Sequence, residues 1–364
     1  MSRWDDYVIA YGEESDPATS LWGPAAAASG GRTAYVLGVG FDPRGLVGLQ
    51  QFLAMGLERA PLVVRLELPP PTEASHAIAR TLATDNLNSF NQLTGSIEVQ
   101  TIPYPDVHER ANAGPLIARA LTGAGFMTEI AHVVVDISSL PSTLYFPLIA
   151  AVLQVHDEKG SPREVQIVAC ENPEVDAAIL EQGVTEGVAV GGFRNYLDLE
   201  ARPSGTMIWA PVIGEHCSPA LRAIHTFLNP NDTTPILPFP ARHPRRADRL
   251  VLEHQRELFD EFLVNPANMI YADERNPFDL YRTLSKFQDD CRTALEPLKP
   301  TTVALSTHSS KLLSLGVLLA ACEHHLPIVA APASDYAISD DADFAELGRH
   351  NKVSCMWLAG EPYQ

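Results

Sequence analysis

The sequence predicts an α/β protein made of two tandem copies of one unit, each an open, mostly parallel sheet. Three observations predict it. Two stretches match without a gap: VVVDISSLPSTLYFPLIAAVL (133–153) and VALSTHSSKLLSLGVLLAACE (303–323). Short apolar runs alternate with longer helical patterns along both halves, as in β-α units that feed a parallel sheet. The runs Val133-Val134-Val135 and Ile328-Val329-Ala330 lack apolar/polar alternation, which suits strands covered on both faces.

In the repeat, Val133 falls on Val303, Ser139 on Ser309 and Leu148 on Leu318. Upstream, the first half reads as strand 33–40, helix 45–57, and a strand within 61–71 that ends in prolines, where a strand must stop. Helix 74–90, strand 97–102 and helix 108–121 complete the approach to Val133. The second half repeats the order: strand 206–213, helix 220–228, strand within 234–242, helix 247–262, strand 268–272 and helix 278–295. Each half is therefore β-α four times and then a closing β (165–179 and 326–339), with right-handed crossovers, a Rossmann-like arrangement. A last strand is expected in each, at 187–190 and 352–358. The expected division is an irregular Ala/Gly/Pro-rich N-terminal segment (1–32), a first unit (33–203) and a second unit (204–364), joined through LEARPSG (199–205).

The 364 residues suffice for two domains of ordinary size. Apolar residues at 46% and charged residues at 20% fit a globular protein. The longest apolar stretches, 144–153 and 312–322, are shorter than the roughly 20 residues a bilayer demands. Arg3 is followed by Asp5 and Asp6 without an apolar core, so no signal peptide is expected. Five cysteines without a C-x-x-C pair predict neither structural zinc nor a disulfide framework, and fit a reducing cytoplasm. The net charge of −19 excludes general duplex DNA binding, because an acidic surface repels the phosphate backbone. A small anion in a locally basic pocket remains compatible. The one basic cluster is Arg242, His243, Arg245, Arg246 and Arg249, either a solvated loop and helix start or such a pocket.

Open α/β sheets bind ligands at the carboxyl ends of their strands, where strand order reverses. That directs attention to the loops after the first and fourth strands of each half. In GVGFDPRG (38–45), Gly38 and Gly40 permit close backbone approach, and Arg44 suits a phosphate or carboxylate. Pro43 stands at the third glycine of the dinucleotide fingerprint, so no dinucleotide cofactor is expected. Asp42 joins the ligand site or caps the following helix. In DISSLPS (136–142), Ser138 and Ser139 are ligand hydroxyls or helix caps. A haloacid-dehalogenase-type nucleophile would need a second Asp where Ser138 stands. In PVIGEHCSPA (211–220), the adjacent Glu215, His216 and Cys217 suggest a nucleophile pair or a metal site. No third ligand lies at a characteristic spacing, and no metal is expected.

STHSSK (306–311) is the most informative loop. Ser306, Thr307, Ser309 and Ser310 offer hydroxyls, and Lys311 enters the first helical turn. A lysine there opposes the helix dipole unless an anion is near, which points to a bound phosphate. The alternative is an ordinary capped helix with an exposed lysine. The P-loop spacing is absent. Two further clusters are YADERNPFDLYR (271–282), whose Tyr271 and Tyr281 offer rings to a base, and CEHH (322–325), whose histidines suit a helix C-terminus.

Doubled Rossmann-like units with Ser/Thr/Lys loops after strands one and four resemble the CARF and SAVED sensor domains of prokaryotic antiviral systems. In those domains two such units face each other and hold a cyclic or linear oligonucleotide messenger between the loops. STHSSK (306–311) is similar to the Gly/Ser/Thr-rich turn with lysine that follows strand four there. DISSLPS (136–142) is its counterpart but has Pro141 where Lys311 stands. The resemblance implies a sensor or adaptor for a nucleotide-type anionic ligand, contacted by Asp42, Arg44, Ser138, Ser139, Thr307, Ser309, Ser310 and Lys311. It also implies a protein partner that supplies the effector. One alternative is a nucleotide-processing enzyme, a ring-nuclease-like hydrolase or a base or sugar transferase. Another is a scaffold subunit with decayed sites. The lack of a strong acid/base constellation favours binding over catalysis.

Overall fold

The computed structural model describes residues 3–12, 18–56, 60–68, 77–105, 112–123, 129–197, 205–295, 299–339 and 342–363. The expected junction at 199–204 lies outside them. In chain order the elements are β1 (Val8–Tyr11), α1 (Gly23–Ser29), β2 (Arg32–Val39), α2 (Val47–Ala54), β3 (Leu62–Glu67), α3 (Ala77–Thr94), β4 (Val99–Ile102) and α4 (Ala113–Thr122). Then follow β5 (Ile130–Asp136), α5 (Ser142–Lys159), β6 (Glu164–Glu171), α6 (Pro173–Ala178), β7 (Ile179–Val184), β8 (Val188–Ala189), β9 (Thr206–Val212) and α7 (Ser218–Leu228). The remainder is β10 (Asp232–Thr233), β11 (Ile236–Pro238), α8 (Arg246–Glu253), β12 (Ile270–Ala272), α9 (Pro277–Leu295), β13 (Thr301–Thr307), α10 (Lys311–His324), β14 (Val329–Ala330), β15 (Ala333–Ile338) and β16 (Lys352–Ala359), with a single turn, α11 (Phe344–Leu347), before β16.

The chain forms two compact units. The first holds residues 1–182 and 335–364, and the second residues 183–334. The chain leaves the first unit within β7 and returns within β15, two strands that pair with each other. This division differs from the expected one at 203/204, and two strands account for the difference. β8 and β16 were expected to close the first and second sheets respectively. Instead β8 pairs antiparallel with β14, and β16 pairs antiparallel with β6 from Lys352 opposite Glu171 to Ala359 opposite Val165. Local pattern identifies a strand but not the sheet edge it joins, because pairing is settled by contacts distant in sequence.

The first sheet runs β4-β3-β2-β5-β6-β16-β1. The five strands from β4 to β6 are parallel, and β16 and β1 are antiparallel to their neighbours. Strand order reverses between β2 and β5. Every residue of β6 and nearly all of β2 and β5 are buried, as expected for strands covered on both faces. At the opposite end from the switch-point loops, a polar ladder crosses three strands. Thr33 Oγ1 meets His132 Nδ1 at 3.2 Å, and His132 Nε2 meets Gln166 Oε1 at 3.1 Å. Burial lowers the His132 pKa to about 4, so the ring is neutral, and this ladder satisfies both its nitrogens.

The N-terminal segment is not irregular where it is described. β1 pairs with β16, and α1 ends at Gly30, whose φ of 62° is the left-handed cap that glycine favours. Leu21, Trp22 and Ala25 are buried in the core. Trp22 packs edge-on against Phe52 at 5.5 Å and donates its indole N–H to Cys355 Sγ at 3.1 Å. The alanine run favours helix, and the tryptophan anchors it.

In the second unit β9 is central. β10 and β11 pair along one side of it, β12 pairs with β11, and β13 pairs with β9 along its full length on the other side. All are parallel. Ile328, just before β14, forms a parallel bridge to Leu305 of β13. Counted along the chain, the parallel strands of the first sheet run third, second, first, fourth, fifth; with β10 and β11 taken together on their shared side of β9, the second sheet runs third, second, first, fourth and reverses between β9 and β13. Its core gathers Trp209, Leu221, Ile224, Leu237, Leu250 and Ala304. Among the described residues no disulfide joins the five cysteines, and no helix is long and apolar enough to cross a membrane.

Candidate functional site

Each unit has its own reversal point, and the two differ in character. In the first unit the loops after β2 and β5 meet there, and their side chains are engaged with one another. Asp42 accepts from the Arg44 backbone N–H at 2.9 Å, so it caps the short 3-10 turn that follows. The same carboxylate takes Arg44 Nε at 3.0 Å and Nη2 at 2.8 Å, and Asp176 takes Nη1 at 2.6 Å. Arg44 is 4% exposed. Burial opposes its charge, but the two carboxylates outweigh that and hold its pKa above the usual arginine range. Its three guanidinium nitrogens are spent inside the protein.

Asp136, at the end of β5, is buried as well. Tyr35 donates its hydroxyl to Oδ2 at 2.8 Å, Ser138 N–H donates to Oδ1 at 2.9 Å, and the Ser138 hydroxyl donates to the same oxygen. Burial pushes the Asp136 pKa up to about 6 against these hydrogen bonds, which favour the charged form. Ser138 Oγ also accepts the Cys170 N–H at 2.8 Å, and Ser139 donates to the Gly38 carbonyl at 2.8 Å. Neither serine caps α5, whose N-cap is Pro141 with no side-chain cap. Gly45 is required here: a Cβ at that position would stand 2.8 Å from Ser139 Oγ. The tyrosine and cysteine partners were not singled out by sequence reasoning, since they come from strands far along the chain.

In the second unit the loops after β9 and β13 meet. The His308 N–H donates to the Val212 carbonyl at 3.0 Å, and a Cβ on Gly214 would strike the His308 carbonyl, so only glycine allows this approach. Ser306 is fully buried and accepts the Trp209 indole N–H at 3.0 Å, a structural role. Thr307 Oγ1 lies 2.9 Å from Ser314 Oγ. Ser310 is the N-cap of α10 and accepts the Leu313 N–H at 3.3 Å. Thr307, His308, Ser309, Ser310 and Lys311 are all partly buried, and Lys311 is the first helical residue, as expected.

Beside this loop sits an unexpected histidine. His254, at the end of α8, is fully buried; its Nε2 lies 2.8 Å from the Gly214 carbonyl and its Nδ1 2.9 Å from Ser218 Oγ. A carbonyl only accepts, so Nε2 carries a proton, while Nδ1 meets a hydroxyl that can either donate or accept. Cys217 Sγ donates to the same carbonyl at 3.1 Å and stands 3.6 Å from Nε2. The ring thus locks the β9–α7 loop and has no nitrogen left for a substrate. Burial and the neighbouring His254 lower the His308 pKa to about 4. The adjacent Glu215, His216 and Cys217 do not converge: His216 is exposed and pairs with Glu253 at 3.2 Å, while Cys217 turns inward. Among the described residues no group of three or more His, Cys, Asp or Glu is placed to hold a metal. An open groove at the β4 edge, lined by Arg65, Phe90 and Thr101 among others, lies away from both reversal points.

Arg246 of the basic cluster pairs with Glu274, so that cation is internal, while His243, Arg245 and Arg249 are exposed. Tyr271 is exposed, but Tyr281 is buried with its hydroxyl on Glu323 and offers no ring. No protein-family model matches this chain, and no curated protein is significantly similar to it.

Proposed function

We propose that the chain is a sensor or adaptor whose second unit takes a small nucleotide-type anion on the loop from Thr307 to Lys311, with the effector on another chain of a prokaryotic defence system. The observation that carries this reading is the position of Lys311. It opens a helix capped by Ser310, at the carboxyl end of β13, beside the reversal of strand order. A cation there is unfavourable against the helix dipole and becomes favourable beside a phosphate. The first unit has Pro141 where the second has Lys311 and so places no cation at the start of α5, which favours a ligand held chiefly by the second unit.

The two units are further inferred to descend from one duplicated Rossmann-like unit. Their common order of the first four parallel strands supports this. Binding is favoured over turnover because His254, which meets the Ser218 hydroxyl, has both nitrogens engaged and is shut from solvent.

The test is incubation of the full chain with cyclic and linear oligonucleotides and dinucleotides, with binding and product formation followed together. One of them should bind and be recovered intact. Steady turnover that a substitution in the 306–311 loop abolishes would replace the sensor with an enzyme, and failure of the whole panel to bind would remove the nucleotide-type ligand.

A further inference from the structure

The second unit carries another chemistry-bearing surface at the carboxyl end of its sheet, on the far side of β9 from β13, and it stands independently of the 307–311 loop. The loops leaving β11 and β12 are tied to each other. Phe239 N–H donates to the Ala272 carbonyl at 2.7 Å, Glu274 N–H to the Pro240 carbonyl at 3.0 Å, and Arg242 N–H to Glu274 Oε2 at 2.8 Å. Arg246 closes on the other oxygen of the same carboxylate. Glu274 is 6% exposed, so a buried ion pair pins the start of α8 to this double loop.

This platform holds two aromatic rings out in solvent. Phe239 is 56% exposed and Tyr271 51%, with centroids 6.2 Å apart and planes at 79°. Rings of this size gain from burial against a partner, and hydrogen-bonded loops hold these two side by side. Beside them runs RHPRRADR (242–249), four arginines and a histidine against one aspartate, in a chain whose net charge is −19. His243, Arg245 and Arg249 are exposed, and Arg245 and Arg249 stand one helical turn apart on one side. The Arg246 Nε, shielded from solvent, has no acceptor among the described residues.

Flat apolar faces next to exposed guanidinium groups match a ligand that is aromatic and anionic in alternation. We propose that this surface binds single-stranded nucleic acid, with a base stacked on each of Phe239 and Tyr271 and the backbone phosphates paired with Arg245 and Arg249. The rings face different directions, so each takes its own base. A duplex hides its base faces and carries a charge density that the acidic chain repels. A second copy of the chain docked symmetrically here would set arginine against arginine.

The experiment is fluorescence anisotropy of the full chain with labelled single-stranded DNA and RNA about ten nucleotides long, and with a duplex of equal length. A single strand of either sugar should bind more tightly than the duplex. Phe239→Ala and Tyr271→Ala should each weaken binding by about tenfold. Arg245→Gln should weaken it and flatten its salt dependence. These substitutions leave the 307–311 loop intact, so the loss of affinity they cause is read at this surface and not at that loop. All three substituted side chains are exposed, so unchanged thermal unfolding will show that the variants fold. The proposal is overturned if the duplex binds as well as the single strands, or if the Phe239→Ala/Tyr271→Ala double variant binds as the parent does. It is also overturned if no strand binds and the double variant instead dissociates a dimer seen by sedimentation.

Discussion

Asp136 shows what a strand-end residue owes to groups the local sequence does not reveal. Its neighbours Ser138 and Ser139 could be read as ligand hydroxyls or helix caps, yet they tie Asp136 to Cys170 and the β5 loop to Gly38. Where both partners of a bond are close in sequence, the local pattern already offers the cap as one of two roles: Asp42 caps its turn and Ser310 caps α10. The buried carboxyl also has a pH consequence. Its folded pKa of about 6 stands above the ordinary 3.8, so between these values the folded chain binds more protons than the unfolded one. Stability from this group therefore falls as pH rises from about 4 to 6, by an amount on the order of 3 kcal/mol. His132 and His308 have lowered pKa values and act in the opposite sense over the same range. Only a difference measurement isolates Asp136. Asp136→Asn should flatten its share, so the stability gap between parent and variant, followed by urea unfolding, should change across pH 4 to 6 and be constant above about 7. A gap independent of pH throughout would mean the carboxyl titrates normally.

At the scale of elements, most helices and strands were legible because their apolar periodicity and proline or glycine stops are local signals. α1 was not, since an Ala/Gly/Pro-rich stretch reads as loop until Trp22 is seen in the core. The partners of β8 and β16 were not legible either. β16 buries Val353, Cys355, Met356 and Trp357, and Trp357 donates its indole N–H to Glu164 Oε2 at 2.8 Å. Full burial of such side chains contributes roughly 1.5–3 kcal/mol each, together comparable to the whole stability of a domain, about 5–15 kcal/mol. Removing residues 351–364 should therefore unfold the first unit. Hydrogen exchange should lose protection at 164–171 and 32–39 while 206–212 and 301–307 keep theirs. Loss at 206–212 and 301–307 alone would restore the contiguous division at 203/204.

At the scale of the molecule, a charge of −19 limits which partners reach any site, and it makes local cations informative. The candidate site was legible as a position, the carboxyl edge at the strand reversal, because that follows from element order alone. The burial of Arg44 at the first reversal point was not, because its ion pair depends on Asp176, far along the chain. Lys311 is thus where the functional account stands or falls. It opposes the dipole of α10 by roughly 0.3–1 kcal/mol, and a charge-assisted bond to an anion contributes roughly 1.5–3 kcal/mol. The most direct measurement is calorimetric titration of the oligonucleotide or dinucleotide that binds the parent chain into Lys311→Ala, with thermal unfolding of both proteins alongside. The account predicts affinity lower by roughly tenfold or more, with stability unchanged or slightly raised. Equal affinity in the two proteins would contradict it and leave the 307–311 loop as a capped helix start with no ligand.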